Sequence, residues 1–120
     1  MQPFIDFILE LDKLKAVTRK TRPLGLDRYE NSAEHSWQIA LLAVSLAHCA
    51  EASVNVDRVV HMLLVHDIGE IDTGDALLYA DTDWAAQKAA ERAEVERIFG
   101  LLPAPQRERF LARWIEFDEA

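Results

Sequence analysis

Apolar residues recur at helical spacing along most of this chain, and no stretch of any length alternates between apolar and polar residues as a strand would. The clearest stripe has spacings of three and four and consists of Phe4, Ile5, Phe7, Ile8, Leu11 and Leu14. It predicts an amphipathic helix over residues 3 to about 16. With 120 residues in total, the sequence predicts one all-α domain, a compact helical bundle of about five helices.

Capping residues, glycines and prolines divide the rest of the chain into four further helices. These cover about residues 32–50, 56–68, 83–100 and 105–117, and the acidic segment after the third is expected to be a loop with one helical turn. Ser32 is the candidate N-cap of the second helix, and Asn55 is that of the third. Pro23 and Gly25 indicate a loop before the second helix.

Composition and charge exclude several classes of protein. The single cysteine, Cys49, rules out an internal disulfide, is expected to be a small buried residue, and favours a reducing, cytoplasmic setting. No signal peptide is recognisable, and the longest apolar stretch, "WQIALLAVSLAHCA", is too short to span a bilayer, so no membrane partner is expected. The net charge of −8 argues against a nucleic acid polymer as partner.

The charges are unevenly distributed. Residues 13–28 hold six lysines or arginines against one acid, and residues 66–83 hold six acids with no lysine or arginine. A local basic patch in an acidic protein suits a small anion. A basic helix end that is simply solvated is an alternative that the sequence leaves open.

The stretch "VHDIGEIDTGD" follows an apolar helix, and it is either an acidic solvated loop or part of a metal site. His66 and Asp67 lie at the end of the third helix, and His35 lies one turn into the second. If these helices pack antiparallel, the three side chains become neighbours. Imidazole and carboxylate together suit Zn, Mn, Fe, Co or Ni better than Ca.

The segment "ENSAEHS", followed 31 residues after its histidine by "HD" in "LLVHDIGEIDTGD", resembles the HD-domain metal-dependent phosphohydrolases. Within them the chain most resembles the 5′-deoxynucleotidase branch, the YfbR-like and HD-domain-containing-protein-2-like enzymes. The resemblance runs from "LDKLKAVTR" through the last helix. It implies that His35, His66 and Asp67 ligate a divalent cation, one of Co, Mn, Zn, Fe, Ni or Mg.

The same resemblance implies roles for further residues. Arg19, in "KAVTRK", would orient the substrate phosphate, and Glu70 and Asp75 would assist catalysis, contact the sugar or hold a second cation. The residues expected to contact substrate are Arg19, Lys20, His35, Asp67 and Asp75.

Two positions depart from the family pattern. Lys20 stands where some relatives have an aromatic residue. The last metal ligand of the family is an aspartate in a later helix, and neither Glu116 nor Asp118 matches it. We therefore expect residues 1–120 to form a single HD domain without the C-terminal helices of the family.

These expectations favour a metal-dependent phosphomonoesterase that removes phosphate from (deoxy)nucleoside 5′-monophosphates by attack of a metal-bound water. The alternative is a non-catalytic HD module that binds a nucleotide or a partner protein for regulation. The apolar fifth helix leaves a homodimer open.

For the other histidines, tryptophans and aspartates, we expect structural roles. His48 and His61 are expected to be packing or surface residues, and Trp37 is expected in the core because it falls on an apolar stripe. Core is also the default for Trp84 and Trp114, and Asp72 and Asp81 are expected to be solvated.

Overall fold

The computed structural model describes residues 1–73 and 83–120, and these are predominantly helical. The helices are α1 (Gln2–Leu11), α2 (Ser32–Ser45), α3 (Val56–Val65), α4 (Glu70–Thr73), α5 (Trp84–Phe99) and α6 (Ala104–Asp118). Short 3₁₀ turns cover Asp12–Ala16 and Ala47–Cys49. In the two described ranges, β pairing is limited to an isolated bridge between Thr18 and Asn31, so the all-α prediction is confirmed. No helix in these ranges is both long and apolar enough to cross a membrane.

The start of α2 differs from the sequence-based expectation. Asn31, not Ser32, is the N-cap: its side chain accepts a hydrogen bond from the Glu34 backbone N–H at 2.9 Å. The Glu34 carboxylate accepts one in return from the Asn31 N–H at 2.8 Å, which completes a capping box. Ser32 is buried, and its own N–H donates to the Val17 carbonyl at 2.8 Å. The predicted cap of α3, Asn55, is confirmed, since it accepts from the Arg58 N–H at 3.1 Å.

Two helices end earlier than their apolar patterns suggest. Helix α2 ends at Ser45 instead of about residue 50, and α3 ends at Val65 instead of Ile68. After α3 the chain forms turns in which the Ile68 N–H donates to the Val65 carbonyl at 3.2 Å. A Cβ atom at Gly69 would lie 3.1 Å from the Cβ of Glu91, so this turn packs closely against α5.

The core lies where α5 and α6 pack against α3 and the segment that follows α1. Val95 and Ile98 are fully buried, and Phe99 and Trp114 are almost so. Phe7 of α1 contacts the rings of both Phe99 and Phe110. The core side chains therefore hold the C-terminal end of α3 in place, because Val65 and Ile68 belong to the same cluster.

Trp37, Trp84 and Cys49 contradict the sequence-based expectations of burial. Trp37 is 62% exposed and Trp84 is 59% exposed, whereas Trp114 is buried as expected. The buried positions of α2 are the small residues Ser32, Ser36 and Ala40, four residues apart on one face. Small residues permit this face to pack closely against neighbouring elements. The larger apolar side chains of α2 lie on its other faces. Cys49 is exposed because it lies in a surface 3₁₀ turn after α2 has ended.

Candidate metal centre

The first turn of α2 lies against the C-terminal end of α3, and this places His35 beside His66 and Asp67. One ligand atom from each residue lies within 4.8 Å of the other two. The imidazole rings meet edge to face with centroids 5.6 Å apart. The structure therefore brings together the three side chains that the sequence indicated as metal ligands.

The ring of His66 is held by contacts on two sides. Its Nδ1 lies 2.6 Å from the Leu63 carbonyl oxygen and donates to it, which leaves Nε2 facing Asp67 Oδ1 at 3.2 Å. The ring of Phe117 packs against the imidazole with centroids 4.9 Å apart. Burial opposes the charged imidazolium, but the hydrogen bond and charge of Asp67, together with the hydrogen bond to the Leu63 carbonyl, outweigh it and raise the pKa of His66. Once Nε2 has lost its proton, a ring fixed in this way presents that nitrogen for coordination.

His35 has the opposite electrostatic environment. Partial burial and the neighbouring charge of Arg19 lower its pKa, so the neutral imidazole is favoured. Its Nδ1 lies 3.4 Å from Glu30 Oε1. Neutral imidazole is the form that binds metal ions.

Asp67 carries the feature that best fits a cation. The residue is only 7% exposed, and its Oδ2 is buried without a hydrogen bond. Arg19 Nη1 lies 3.5 Å from this oxygen. A buried carboxylate oxygen that lacks a hydrogen bond is costly, and a metal ion would compensate that cost. Ligand bonds of about 2.0–2.2 Å place donor atoms up to about 4.4 Å apart, so small side-chain shifts suffice for all three to reach one ion.

Arg19 is positioned by backbone pairing between two loop segments. Its N–H donates to the Glu30 carbonyl at 2.8 Å, and the Glu30 N–H donates to the Thr21 carbonyl at 2.7 Å. The guanidinium then lies between two carboxylates, with Nε 3.3 Å from Glu30 Oε1 and Nη1 beside Asp67. Sequence analysis missed Glu30, because its only distinguishing feature there is its place in "ENSAEHS".

The other predicted site residues differ in their position relative to the candidate ligands. Glu70 begins α4, accepts a hydrogen bond from the Ser32 hydroxyl at 3.5 Å, and borders the same cavity as Asp67. Lys20 is exposed and does not line that cavity. Asp75 and Asp81 lie outside the described residues.

A cavity of about 270 Å³ opens beside the candidate ligands. Its described charged lining consists of two cations and four carboxylates: Arg19, Lys88, Asp67, Glu70, Glu91 and Asp118. Three aromatic residues, Trp84, Trp114 and Phe117, complete much of the wall. Lys88 donates to Asp118, and this hydrogen bond raises the pKa of the lysine. The cavity therefore has an excess of negative charge that a divalent cation would balance.

The fold and the site together define a helical protein with a candidate divalent-metal centre between helices. Residues 11–120 match the family model described as HD domain, so the chain belongs to the HD domain family. The resemblance found from the sequence motifs is thereby confirmed.

Known relatives agree with this assignment. The chain is 30% identical over 114 residues to a 5′-deoxynucleotidase of Enterobacter sp. (strain 638), covering 88% of this chain and 57% of that protein. It is also 30% identical over 112 residues to the 5′-deoxynucleotidase YfbR of Escherichia coli (strain K12 / DH10B), covering 87% and 56%. It thus spans little more than half the length of these relatives.

A solved structure shares the fold. It is a crystal structure from Magnetospirillum magnetotacticum MS-1, named a predicted metal-dependent phosphohydrolase, with a TM-score of 0.87 and 42% identity. The match covers 98% of this chain and 60% of that one.

Proposed function

We propose that this protein is a metal-dependent phosphohydrolase that removes phosphate from nucleoside 5′-monophosphates, with deoxyribonucleotides as the preferred class. The observation that carries the proposal is the meeting of His35, His66 and Asp67 next to Arg19. The names of the relatives, 5′-deoxynucleotidases and a metal-dependent phosphohydrolase, support the substrate class and the metal dependence.

His35, His66 and Asp67 would hold the cation, with His66 offering Nε2 because its Nδ1 is used by the Leu63 carbonyl. A divalent ion bound there supplies positive charge at the phosphate and lowers the pKa of a bound water towards neutrality. Two nitrogen donors and one carboxylate favour a transition metal such as Mn, Fe, Co, Ni or Zn over Mg.

Arg19 is the group proposed to bind the phosphate oxygens. Its guanidinium is planar and always charged, and it carries donors beyond those directed at Glu30 and Asp67. Carboxylates lie 3.3 and 3.5 Å away on either side of the guanidinium, and shortening of these contacts to hydrogen bonds would fix its plane. Arg19 thereby limits how far the phosphorus can lie from the candidate ligands.

Glu70 is proposed to transfer a proton during the reaction. It lines the cavity that substrate would occupy, and one oxygen of its carboxylate accepts from the buried Ser32 hydroxyl. Asp75 is expected to contact the sugar or a second cation, a prediction that falls on a residue outside the described ranges.

Charge explains why metal should be required for binding as well as for chemistry. With four carboxylates against two cations along the described lining, the cavity opposes entry of a phosphate dianion. A divalent cation at the three candidate ligands removes that barrier. We therefore expect phosphate monoesters to bind only after metal.

The test is phosphate release by metal-stripped protein reloaded with Mn²⁺, Co²⁺ or Zn²⁺. The substrates are a panel of deoxynucleoside 5′-monophosphates with the matching ribonucleotides and 3′-monophosphates. We expect turnover of the 5′-monophosphates that depends on the added metal. Metal and nucleotide binding without any phosphate release would favour the non-catalytic HD module instead.

The cytoplasmic setting and the homodimer stay predictions. The apolar character of α6 suggested a dimer, but three of its apolar residues pack against the core of the same chain: Phe110, Leu111 and Ile115. The assignment of residues 1–120 to a single HD domain is likewise a proposal. Sedimentation of the purified protein would decide between monomer and dimer.

A further inference from the structure

One carboxylate oxygen of Glu30 faces both halves of the candidate site. Glu30 Oε1 lies 3.3 Å from Arg19 Nε and 3.4 Å from His35 Nδ1. Arg19 is the proposed phosphate-binding residue, and His35 is a proposed metal ligand. In the sequence Glu30 is distinguished only by its place in "ENSAEHS", and its side chain is only 15% exposed.

We propose that Glu30 is a positioning residue that sets the orientation of Arg19 and of His35 together, so that one carboxylate fixes the phosphate-binding group relative to the metal ligand. The inference rests on the proposed function. Glu30 itself touches neither metal nor substrate in this scheme. It acts through the two side chains that do.

The backbone explains why Glu30 can hold both groups. Its C=O accepts from the Arg19 N–H and its N–H donates to the Thr21 carbonyl, while the next residue pairs with Thr18 in the isolated bridge. Glu30 is also directly followed by Asn31, the N-cap of α2, so it has a fixed offset from His35 one turn later. The carboxylate is therefore anchored by backbone contacts on both sides.

The effect on His35 follows from how imidazoles bind metals. A carboxylate at Nδ1 keeps the proton on that nitrogen and turns Nε2 towards the metal, and loss of such a partner commonly weakens metal binding by roughly 10–100-fold. His66 achieves the same orientation through the Leu63 carbonyl. Nδ1 of His66 thus has a hydrogen-bond acceptor in a backbone carbonyl, whereas Nδ1 of His35 has a carboxylate 3.4 Å away that would have to move closer to accept its proton.

The effect on Arg19 concerns the plane of the guanidinium. Nε faces Glu30 and Nη1 faces Asp67, so the two carboxylates hold opposite parts of the group. Both separations are longer than ordinary charged hydrogen bonds, and such contacts commonly shorten when ligand binds. Without Glu30, Arg19 keeps only the contact to Asp67, which would itself be engaged by metal.

The experiment compares Glu30→Gln with the wild type and with Glu34→Gln as the matched control. Glu34 lies four residues along, pairs with Arg28, and has no contact with Arg19 or His35 among its described hydrogen bonds and ion pairs. Glutamine at this position can still accept from the Asn31 N–H, so the control keeps the capping box of α2. The measurements are the Kd for Co²⁺ by calorimetry, the visible absorption of bound Co²⁺, and separate kcat and KM values with a deoxynucleoside 5′-monophosphate.

For Glu30→Gln we expect a roughly 10–100-fold weaker Kd for Co²⁺, a changed Co²⁺ spectrum, and a raised KM at saturating metal. Glu34→Gln should match the wild type in all three. Wild-type Kd and spectrum in Glu30→Gln would overturn the proposal, as would equal losses in Glu34→Gln. A KM increase alone, with an unchanged spectrum, would also overturn it, because the link to His35 would be absent.

Glu30→Asp keeps the charge but withdraws it by one methylene, so we expect it to loosen Co²⁺ less than Glu30→Gln. If Glu30→Gln loses its helical circular dichroism, Glu30→Asp takes its place in the comparison. In that case a wild-type Kd for Co²⁺ and a wild-type spectrum in Glu30→Asp would overturn the proposal. Wild-type protein that binds Co²⁺ without hydrolysing nucleotides would defeat the proposed function alone, since the spectral comparison still applies. Wild-type protein that binds no Co²⁺ would overturn both.

Discussion

His35 and His66 meet edge to face with ring centroids 5.6 Å apart, although 31 residues separate them along the chain. The meeting depends on the small face of α2, where Ser32 and Ser36 are buried and allow the helix to approach its neighbours. It depends equally on where α3 ends, because His66 directly follows the last helical residue, Val65, as the C-cap, with its backbone still in right-handed helical conformation. The candidate metal centre is thus formed by a helix start and a helix end.

Replacement of one candidate ligand should weaken metal binding strongly. We expect His66→Ala to raise the Kd for Mn²⁺ or Co²⁺ by more than the roughly 10–100-fold that loss of an outer partner costs, because a direct ligand is removed. His61→Ala is the control, since His61 is an exposed histidine on the preceding helix. Calorimetry measures both. Similar Kd values for the two variants would contradict the assignment of His66.

Arg19→Ala should reduce turnover and leave the metal in place. Charged hydrogen bonds contribute about 1.5–3 kcal/mol each, so loss of one to phosphate should lower kcat/KM by about 10- to 150-fold. Metal content should not fall, because removing a cation beside Asp67 cannot weaken cation binding electrostatically. Arg22→Ala, which removes an exposed arginine paired with Asp27, is the control. Metal loss in Arg19→Ala would refute a role confined to the phosphate.

Asn31→Ala should cost about 1 kcal/mol of stability, because the N-cap of α2 and half of its capping box are lost. Asn55→Ala, which removes the corresponding cap of α3, should cost a similar amount. Urea unfolding measures both. Phosphohydrolase activity should fall in Asn31→Ala but not in Asn55→Ala, because only Asn31 adjoins Glu30 and the turn that carries His35. Equal activity in the two variants would show that the cap does not position the site.

The ion pairs of Glu10 should make stability depend on pH. A hydrogen bond from Arg97 and another from Lys13 lower the pKa of Glu10 below its ordinary 4.5. A lowered folded-state pKa contributes stability that is present above about pH 4.5 and is lost as the pH falls through the folded value. Glu10→Gln should therefore lower stability at pH 7 by about 0.2–1 kcal/mol and have a smaller effect at pH 3.

Salt provides the check on this last expectation. The partners of Glu10, Lys13 and Arg97, are exposed, so 1 M NaCl should reduce the difference between Glu10→Gln and wild type at pH 7. Thermal unfolding at the two pH values and two salt concentrations gives the comparison. A difference that is as large at pH 3 as at pH 7 would point to lost packing in place of lost charge.

Local sequence determined where most helices lie. Helical period is a property of neighbouring residues, and it located all five helices of ten or more residues in the described ranges. Asn55 as a cap was equally accessible, because capping involves only the next three residues. The motif around His66 and Asp67 likewise predicted which side chains would come together.

Long-range packing decided what the sequence could not. An apolar stripe shows that a helix has a face to bury, but not which partner covers it, and so Trp37 is exposed while Trp114 is buried. The choice of Asn31 over Ser32 as cap was settled by the pairing of Ser32 with Val17, a contact between separate segments. Glu30 gained its place between Arg19 and His35 in the same way, because the distance between side chains on different segments is fixed only when the whole core is packed.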